Sequence, residues 1–224
     1  MSVERIRADF DRIASLASPD DEEDGLYHAF LLARLPERIG AALDVGCGTG
    51  AFARKLAARA ARVEAIDLSP EMIRVASSRS PGLPHLAFRE ADVSAMALAP
   101  ASYDAIATLA TLHHLDADAV VPRLVSALRP GGTLAILDLL AVVLPREIPR
   151  TAAAMVVSRW RRWRATGRVR KDRETARAWR EHGRNDVLPT WPEARAMRDR
   201  LLPGGRLTRH LLWRYSIVWT KPVG

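Results

Sequence analysis

Cysteine is almost absent from this chain of 224 residues, which contains Cys47 and no other. A single thiol excludes an internal disulfide framework and a multi-cysteine metal cluster, so the fold must depend on its apolar core. No stretch approaches the roughly 20 uncharged apolar residues of a membrane span. The N-terminal residues MSVERIRADFDRI lack the apolar core of a signal peptide. We therefore expect a cytoplasmic protein of a reducing compartment, without a membrane span.

Histidine, aspartate and glutamate do not occur at the spacings typical of metal sites, so no metal is expected. Internal repeats are absent as well. A chain of 224 residues is long enough for one large domain, or for one domain with an insertion, around a substantial core.

The most informative segment is LDVGCGTG, residues 43–50, in which a short apolar strand runs into three glycines. Glycine permits backbone conformations that a Cβ would forbid, and it lets N–H groups approach a ligand closely. The helix that begins at Ala51 adds unpaired donors and the positive end of its dipole. No Lys-Ser/Thr pair closes the loop, which excludes a phosphate-binding P-loop. The remaining pattern fits both a dinucleotide site and an S-adenosylmethionine site.

Four further segments follow in order, at ordinary connection lengths. Strands that alternate with helices imply a parallel sheet covered on both faces. The acid that ends the second strand is suited to hydrogen bonds with ribose hydroxyls, which both ligands possess. The segments are VEAIDLSPEMI (strand two, Asp67 and a helix capped by Ser69), LAFREADVSAM (strand three, ending near Asp92), YDAIATLATLHHL (strand four) and LRPGGTLAILDLL (a turn and strand five).

These five segments resemble the ordered motifs of the class I S-adenosylmethionine-dependent methyltransferases, in particular the small-molecule, type 11/25-like branch. The resemblance is strong over residues 41–140. It extends weakly to LTRHLLWRYSIVWTKP, which is similar to the family's closing antiparallel hairpin. A dinucleotide-binding fold accounts for neither this hairpin nor the pair His113 and His114.

The resemblance implies an α/β fold: a Rossmann-like seven-stranded sheet in the order 3-2-1-4-5-7-6, with the last strand antiparallel and helices on both faces. Strand six is then expected at Arg206–Trp213 and strand seven at Tyr215–Lys221. Four parts are expected along the chain. They are an N-terminal helical arm over the cleft (1–36), the cofactor-binding core (37–140), a basic helical insertion or lid (141–203) and the closing hairpin (204–224).

The resemblance also implies S-adenosyl-L-methionine as cofactor, with S-adenosyl-L-homocysteine as product, and assigns eleven positions to its binding. The expected contacts are Asp44, Gly46, Gly48, Gly50 and the backbone of Thr108 and Leu109 for the methionine part, Asp67 for the ribose, and Leu68, Met72, Asp92 and Val93 for the adenine.

Transfer to a hydroxyl or phenol needs a base, usually a histidine, whereas carbon and amine acceptors need none. His113 and His114 end the fourth strand, where the resemblance places the acceptor, and they are the candidate catalytic residues. Alternatively, one or both cap the next helix or pack under the loop. Other base candidates are Tyr27, His28 and His182, while His85 and His210 lie in contexts that indicate structural roles.

The net charge of +8 comes from one segment, because residues 146–184 carry thirteen Arg or Lys and four Asp or Glu, a balance of +9. Within it, Val156, Trp160 and Trp163 recur at the spacing of one helix face. Such a helix can form a lid, with apolar residues inward and arginines outward, or a dimer surface. It can also bind an acidic or phosphorylated partner, or stack on and neutralise a nucleic acid.

We expect a methyltransferase of a small-molecule acceptor (O-, C- or N-methylation), monomeric or homodimeric, whose arm and insertion form most of the acceptor wall. One alternative is an RNA or other nucleic-acid methyltransferase. Only the basic segment favours this alternative. The chain also lacks the Asn/Asp-Pro-Pro-aromatic motif that amino-methylating members carry after the fourth strand, where residues 108–111 read Thr-Leu-Ala-Thr. The other alternative is a cyclase or binding module that keeps the fold without methyl transfer.

Overall fold

The computed structural model describes residues 2–18, 25–143, 148–167 and 172–223. The acidic run of residues 20–24, which the sequence favours as a solvated loop, and several arginines of the basic segment lie outside these ranges. The helices are α1 (Val3–Ser15), α2 (Gly25–Leu32), α3 (Ala51–Ala57), α4 (Pro70–Ser78), α5 (Ala117–Ala127), α6 (Ile148–Thr166), α7 (Arg173–His182) and α8 (Trp191–Leu201). The strands are β1 (Ile39–Val45), β2 (Ala60–Asp67), β3 (Leu86–Glu90), β4 (Tyr103–Leu109), β5 (Leu128–Leu139), β6 (Arg206–Arg209) and β7 (Arg214–Thr220).

The seven strands form one sheet in the order β3-β2-β1-β4-β5-β7-β6, which confirms the expected topology. The first five strands are parallel to one another, and β7 runs antiparallel to both β5 and β6. The expected bounds of the hairpin were wrong. Strand β6 ends at Arg209, because the turn between the strands takes residues 210–213 and sets Trp213 at a φ of 51°. This turn contains no glycine or proline, so the apolar sequence gives no sign of it.

The sheet is packed on both faces, and alternate residues of the central strands separate the two cores. Large side chains such as Leu43, Ile106 and Ile136 face α5 and α8. Alanines such as Ala105 and Ala135 face the opposite way, where α2 and α3 pack against the sheet. The small residues allow α3 to lie close to the strands, which positions the glycine loop that precedes it.

The N-terminal helix lies across one end of the sheet and contacts α4 and α7. Ile13 and Ala14 of α1 pack with Met72 of α4 and Ala178 of α7 in a small apolar cluster. The arm and part of the insertion therefore meet above the carboxyl ends of the strands, as a cover over that edge.

The basic helix does not turn its predicted apolar face toward the protein, as the lid alternative requires. Val156, Trp160 and Trp163 of α6 are 66%, 52% and 55% exposed. The other side of the helix packs on the protein: Ala154 is fully buried, and the Trp213 indole lies 3.4 Å from the Thr151 hydroxyl. Helical spacing places residues on a common face, but it does not say whether that face meets the core.

None of the helices in the described ranges combines the length and the hydrophobicity that crossing a bilayer would require.

Candidate active site

A cavity of about 480 Å³ opens at the carboxyl ends of β1, β2 and β4. In sheets of this type, ligands bind at this edge, where the strand order reverses. The glycine loop and the segment after β4 form its floor. Helices α1 and α7 form the opposite wall, through residues such as Phe10, Thr175 and Trp179.

The glycine loop depends on left-handed backbone conformations at Gly46, Gly48 and Gly50, with φ angles of 70°, 51° and 79°. Each glycine has a different surrounding. A Cβ on Gly46 would lie 2.1 Å from the Thr111 hydroxyl, whereas one on Gly48 would meet no atom within 4 Å. Gly48 lines the cavity, so its missing side chain leaves space for a ligand against the backbone.

Alanine substitutions at these glycines should separate two effects of a side chain: strain in the left-handed backbone and loss of space for the ligand. Gly82→Ala is the control, because Gly82 has a φ of 76°, open surroundings and a place outside the cavity lining. Each substitution should cost roughly 1–2 kcal/mol of unfolding free energy through its left-handed backbone. Gly46→Ala should cost more because of Thr111, and Gly48→Ala should in addition weaken binding of S-adenosyl-L-methionine. Denaturant titration and calorimetry give both quantities; equal ligand affinity of the Gly48 and Gly82 variants would contradict the assignment.

The buried carboxylate of Asp44 lies directly before the glycine loop and contacts the cavity. Its Oδ2 has no hydrogen-bond partner among the described residues. Burial, and then the charge of Asp67, raise the pKa of Asp44 to about 7. An unsatisfied, buried acceptor of this kind fits a ligand with a cationic amino group.

Asp67 ends β2 and holds the loop together. Its carboxylate accepts hydrogen bonds from the Gly48 N–H at 2.8 Å and from the Ser69 N–H at 2.9 Å. Burial raises the pKa of Asp67 despite these hydrogen bonds. The arm also takes part in this network, because the Ser69 hydroxyl lies 2.5 Å from the carboxylate of Asp11.

Nine residues that the sequence predicts for the site line this one cavity. The others lie beside it or beneath it. Gly50 precedes α3 and lies against Phe88, the side chains of Val93 and Thr108 are buried, and His113 packs against His114. The nine residues are Asp44, Gly46, Gly48, Asp67, Leu68, Met72, Asp92, Leu109 and His114.

Several lining residues were not expected from the sequence. Ala110 and Thr111 follow β4 directly, and Ala110 has a φ of 52°, which is rare for a residue with a side chain. The motif letters do not reveal such a backbone. Phe10 follows the apolar period of the arm, whereas nothing in the local sequence marks Thr175 as a lining residue.

The two adjacent histidines lie in the short 3-10 turn Leu112–His114 after β4. His113 Nδ1 lies 2.6 Å from the carboxylate of Asp138, which also accepts the His113 N–H at 2.8 Å. His113 is thus fixed by β5 and points its Nε2 away from that strand. His114 lines the cavity, and burial, followed by the charges of His113 and His182, lowers its pKa to about 3.

The histidines also face groups from the insertion and the arm. His114 Nε2 lies 3.3 Å from His182 Nε2, and His182 Nδ1 lies 3.2 Å from Asp9. Asp186 lies opposite the pair, 3.9 Å from His113 Nε2 and 3.8 Å from His114 Nδ1. Sequence spacing could not predict this cluster, because its members come from three separate parts of the chain.

The remaining base candidates differ in their access to the cavity. His28 lines it, with its Nδ1 3.0 Å from the Lys55 amino group. The Tyr27 hydroxyl accepts from the Leu212 N–H at 3.2 Å and lies outside the lining. His85 contacts the Ala57 carbonyl, and His210 contacts the Ser216 hydroxyl, as residues with structural roles would.

Known proteins are similar to this chain in sequence and in fold. Residues 43–136 match the family model of a methyltransferase domain. The chain is 31% identical over 201 residues to an uncharacterized methyltransferase of Mycobacterium bovis, across 88% of this chain and 95% of that protein. It is 40% identical over 110 residues to the ubiquinone biosynthesis O-methyltransferase of Xylella fastidiosa, across 47% of this chain and 44% of that protein.

The fold is also that of a solved N-methyltransferase, NodS of Bradyrhizobium japonicum in complex with S-adenosyl-L-homocysteine. The TM-score is 0.60 at 18% identity, across 97% of this chain and 98% of NodS. The sequence match at 31% identity spans most of this chain and of its mycobacterial relative. The chain therefore belongs to the class I S-adenosylmethionine-dependent methyltransferases, and S-adenosyl-L-methionine is its methyl donor.

Proposed function

We propose that this enzyme methylates a hydroxyl oxygen of a small, partly apolar molecule, with a phenol as the favoured acceptor. The observation that carries the proposal is the wall of the cavity away from the glycine loop. Val3, Ile6 and Phe10 of the arm line it together with His114, and the rings of Phe10 and His114 are in edge contact with their centroids 5.6 Å apart. Small-molecule sites are mostly apolar, with a few placed polar groups that fix orientation.

The donor supplies a methyl group on a sulfonium, so the protein mainly has to align the two reactants and exclude water. We assign the donor's amino group to a contact with Asp44, whose unpartnered oxygen fits a cation, and the donor's ribose hydroxyls to contacts with Asp67. The open backbone at Gly48 leaves space for the methionine part, and Gly46 lines the cavity beside it. Gly50 and the backbone of Thr108 and Leu109 support that part of the site. Leu68, Met72, Asp92 and the Val93 N–H then serve the adenine.

The acceptor site is formed by two parts of the chain outside this core. Residues 1–36 and 141–203 act as cover, and residues 37–140 and 204–224 form the cofactor-binding core. The contact between α1 and α7 supports this division, because it closes the cavity above the strands.

An acceptor hydroxyl must lose its proton as its oxygen attacks the methyl carbon. We assign this proton to His114, with His113 packed against its ring as a positioning residue. His114 faces the cavity and is uncharged at neutral pH because its pKa is lowered. The ring of His113 is held in place because its Nδ1 donates to the carboxylate of Asp138 at 2.6 Å. A phenol, with a pKa of about 10, loses its proton more easily than an aliphatic alcohol.

Two further observations favour a small hydroxyl acceptor over a nucleic acid. None of the described residues of α6, which carries the Arg and Trp cluster, lines the cavity. The relative in Xylella fastidiosa is named as an O-methyltransferase of ubiquinone biosynthesis.

The test is methyl transfer from labelled S-adenosyl-L-methionine to catechol and to its amine counterpart o-phenylenediamine, beside extracted small metabolites and total RNA. Label should enter catechol and the metabolite fraction. His114→Asn should lower the rate with catechol by roughly 10²-fold or more, as expected for loss of a general base. The donor affinity should stay within about twofold, because no hydrogen bond to the donor is assigned to His114. His85→Gln is the matched control.

Label in the amine but not in the phenol would contradict the hydroxyl acceptor. Salt-sensitive methylation of RNA, lost when Arg161, Arg162 and Arg164 become alanine, would overturn the small-molecule assignment, because phosphate contacts weaken steeply with ionic strength.

A further inference from the structure

A carboxylate and two imidazoles converge beside the cavity without hydrogen-bonding to one another. His113, His114 and Asp186 can each direct one ligand atom to a common point, with these atoms within 4.8 Å of one another. His113 Nε2 and His114 Nδ1 lie 3.9 Å and 3.8 Å from the oxygens of Asp186. These distances are too long for hydrogen bonds.

The Asp186 carboxylate needs a partner that the described residues do not supply. Its side chain is 8% exposed, and Oδ1 is buried with no hydrogen-bond partner. A buried, unsatisfied carboxylate oxygen is costly unless a cation or a donor compensates it. The groups that face Asp186 are the imidazoles of His113, His114 and His182, so a bound cation can satisfy all of them at once.

The spacing of the three ligand atoms fits an ion at their centre. Zinc binds histidine nitrogen at about 2.0–2.1 Å and carboxylate oxygen at about 2.0–2.2 Å, with tetrahedral geometry. Adjacent ligand atoms in such a site lie roughly 3.4 Å apart, as simple tetrahedral geometry requires. His114 Nδ1 lies 3.8 Å from Oδ1 of Asp186 and His113 Nε2 lies 3.9 Å from Oδ2, so each nitrogen is about half an ångström from this separation to one of the two carboxylate oxygens.

Each histidine has its other nitrogen fixed by a second group, as ligands in metal sites usually have. His113 Nδ1 donates to Asp138 at 2.6 Å. For His114 the partner is a chain of groups. Asp9 accepts from His182 Nδ1 at 3.2 Å, and in that tautomer His182 Nε2 accepts from His114 Nε2 at 3.3 Å. Both hydrogen-bond patterns leave one unprotonated nitrogen, His113 Nε2 or His114 Nδ1, facing Asp186.

We propose that this enzyme binds one divalent transition-metal ion of the Zn²⁺ class through His113 Nε2, His114 Nδ1 and the carboxylate of Asp186. Asp138 and His182, the latter backed by Asp9, orient the two imidazoles. Three protein ligands leave a coordination position for water or an acceptor oxygen, as in catalytic zinc sites. The ion also joins the turn after β4 to the segment that follows α7, so it fastens the insertion to the core.

Binding of the ion does not depend on the proposed function, whereas a role in activating an acceptor hydroxyl does. A metal-bound hydroxyl has a lowered pKa, and the ion would then replace free imidazole as the group that makes the acceptor nucleophilic. The two proposals are tested separately, because metal binding is measured without donor or acceptor.

The experiment uses the full chain without an affinity tag, freed of metal by a chelator and then dialysed. Zn²⁺ is titrated in competition with a chromophoric chelator, and Co²⁺ is added for its absorption spectrum. We expect one equivalent bound, with the visible bands of a four-coordinate Co²⁺ site. Asp138→Asn, which removes the group that orients His113, should weaken metal binding by roughly 10–100-fold. Asp186→Asn removes a proposed ligand itself and should weaken binding by at least as much. His85→Gln, which alters a histidine outside the cluster, should bind as the wild type does.

If the variants fail to fold, the histidine ring ¹⁵N chemical shifts of the wild-type protein, measured with and without Zn²⁺, test the proposal instead. Zn²⁺ should move the signals of His113 Nε2 and His114 Nδ1 and leave those of His85 unchanged. Absence of one-to-one binding would overturn the proposal, as would equal affinity in folded Asp186→Asn and His85→Gln proteins. If Zn²⁺ did not move the ring signals of His113 and His114, the metal proposal would also be overturned, and the cluster would be a set of hydrogen-bonded histidines without a metal. Metal binding without methyl transfer would contradict the proposed function alone.

Discussion

Asp67→Ala is expected to weaken binding of S-adenosyl-L-methionine by well over tenfold. The assigned ribose hydroxyls would lose two charge-assisted hydrogen bonds, worth roughly 1.5–3 kcal/mol each at most. The same change removes the acceptor for the N–H groups of Gly48 and Ser69, so the glycine loop loses its anchor as well. Isothermal titration with S-adenosyl-L-homocysteine measures the effect without turnover.

Glu64→Gln is the matched control for this measurement. Glu64 is a carboxylate of the same strand, but it contacts Tyr103 and Arg89 and lies outside the cavity lining. Its affinity for the ligand should stay close to that of the wild type. Unchanged affinity in Asp67→Ala, in a protein that still folds, would remove Asp67 from the ribose site.

Asp44→Asn is expected to stabilise the ligand-free protein above pH 7 and to weaken its binding of the donor. Burial, and then Asp67, raise the folded-state pKa of Asp44 to about 7 from 3.8. The folded protein therefore holds a proton that the unfolded chain has already released. The stability that this proton contributes is present below pH 3.8 and is lost as the pH rises to about 7. A shift of about three pH units corresponds to a cost of at most about 4 kcal/mol.

Asparagine has nearly the same shape and carries no charge, so the variant should lack this pH dependence. Urea unfolding at pH 5 and pH 8, for both proteins, checks the stability part. The binding part has the opposite sign, because the cationic amino group of the donor requires the carboxylate. Wild-type affinity should rise between pH 6 and pH 8, and the affinity of Asp44→Asn should be lower and nearly flat. A variant that binds as tightly as the wild type at pH 8 would refute the role of Asp44.

Local patterns were sufficient to predict the first five strands and the glycine loop, and Asp67 and Gly48 each lie within one of the motif segments. The order of all seven strands followed from the family resemblance that these segments carry. The histidine cluster could not be predicted in this way. Asp138 and Asp186 are far from His113 along the chain, and tertiary packing alone brings them together. The sequence left open whether the apolar face of α6 turns inward or outward, because a helical period does not encode which side is buried.

The position of β7 between β5 and β6 has a consequence for how the chain is made. Strand β5 is 12 residues long and largely buried in the finished protein, yet one of its edges remains unpaired until Arg214–Thr220 have been synthesised. At about 5–20 residues per second, translation of residues 140–220 takes roughly 4–16 s. During that interval a long apolar edge is open to pairing with another nascent chain. The yield of active protein should therefore depend on how fast the ribosome completes this stretch and on chaperones that shield the edge meanwhile.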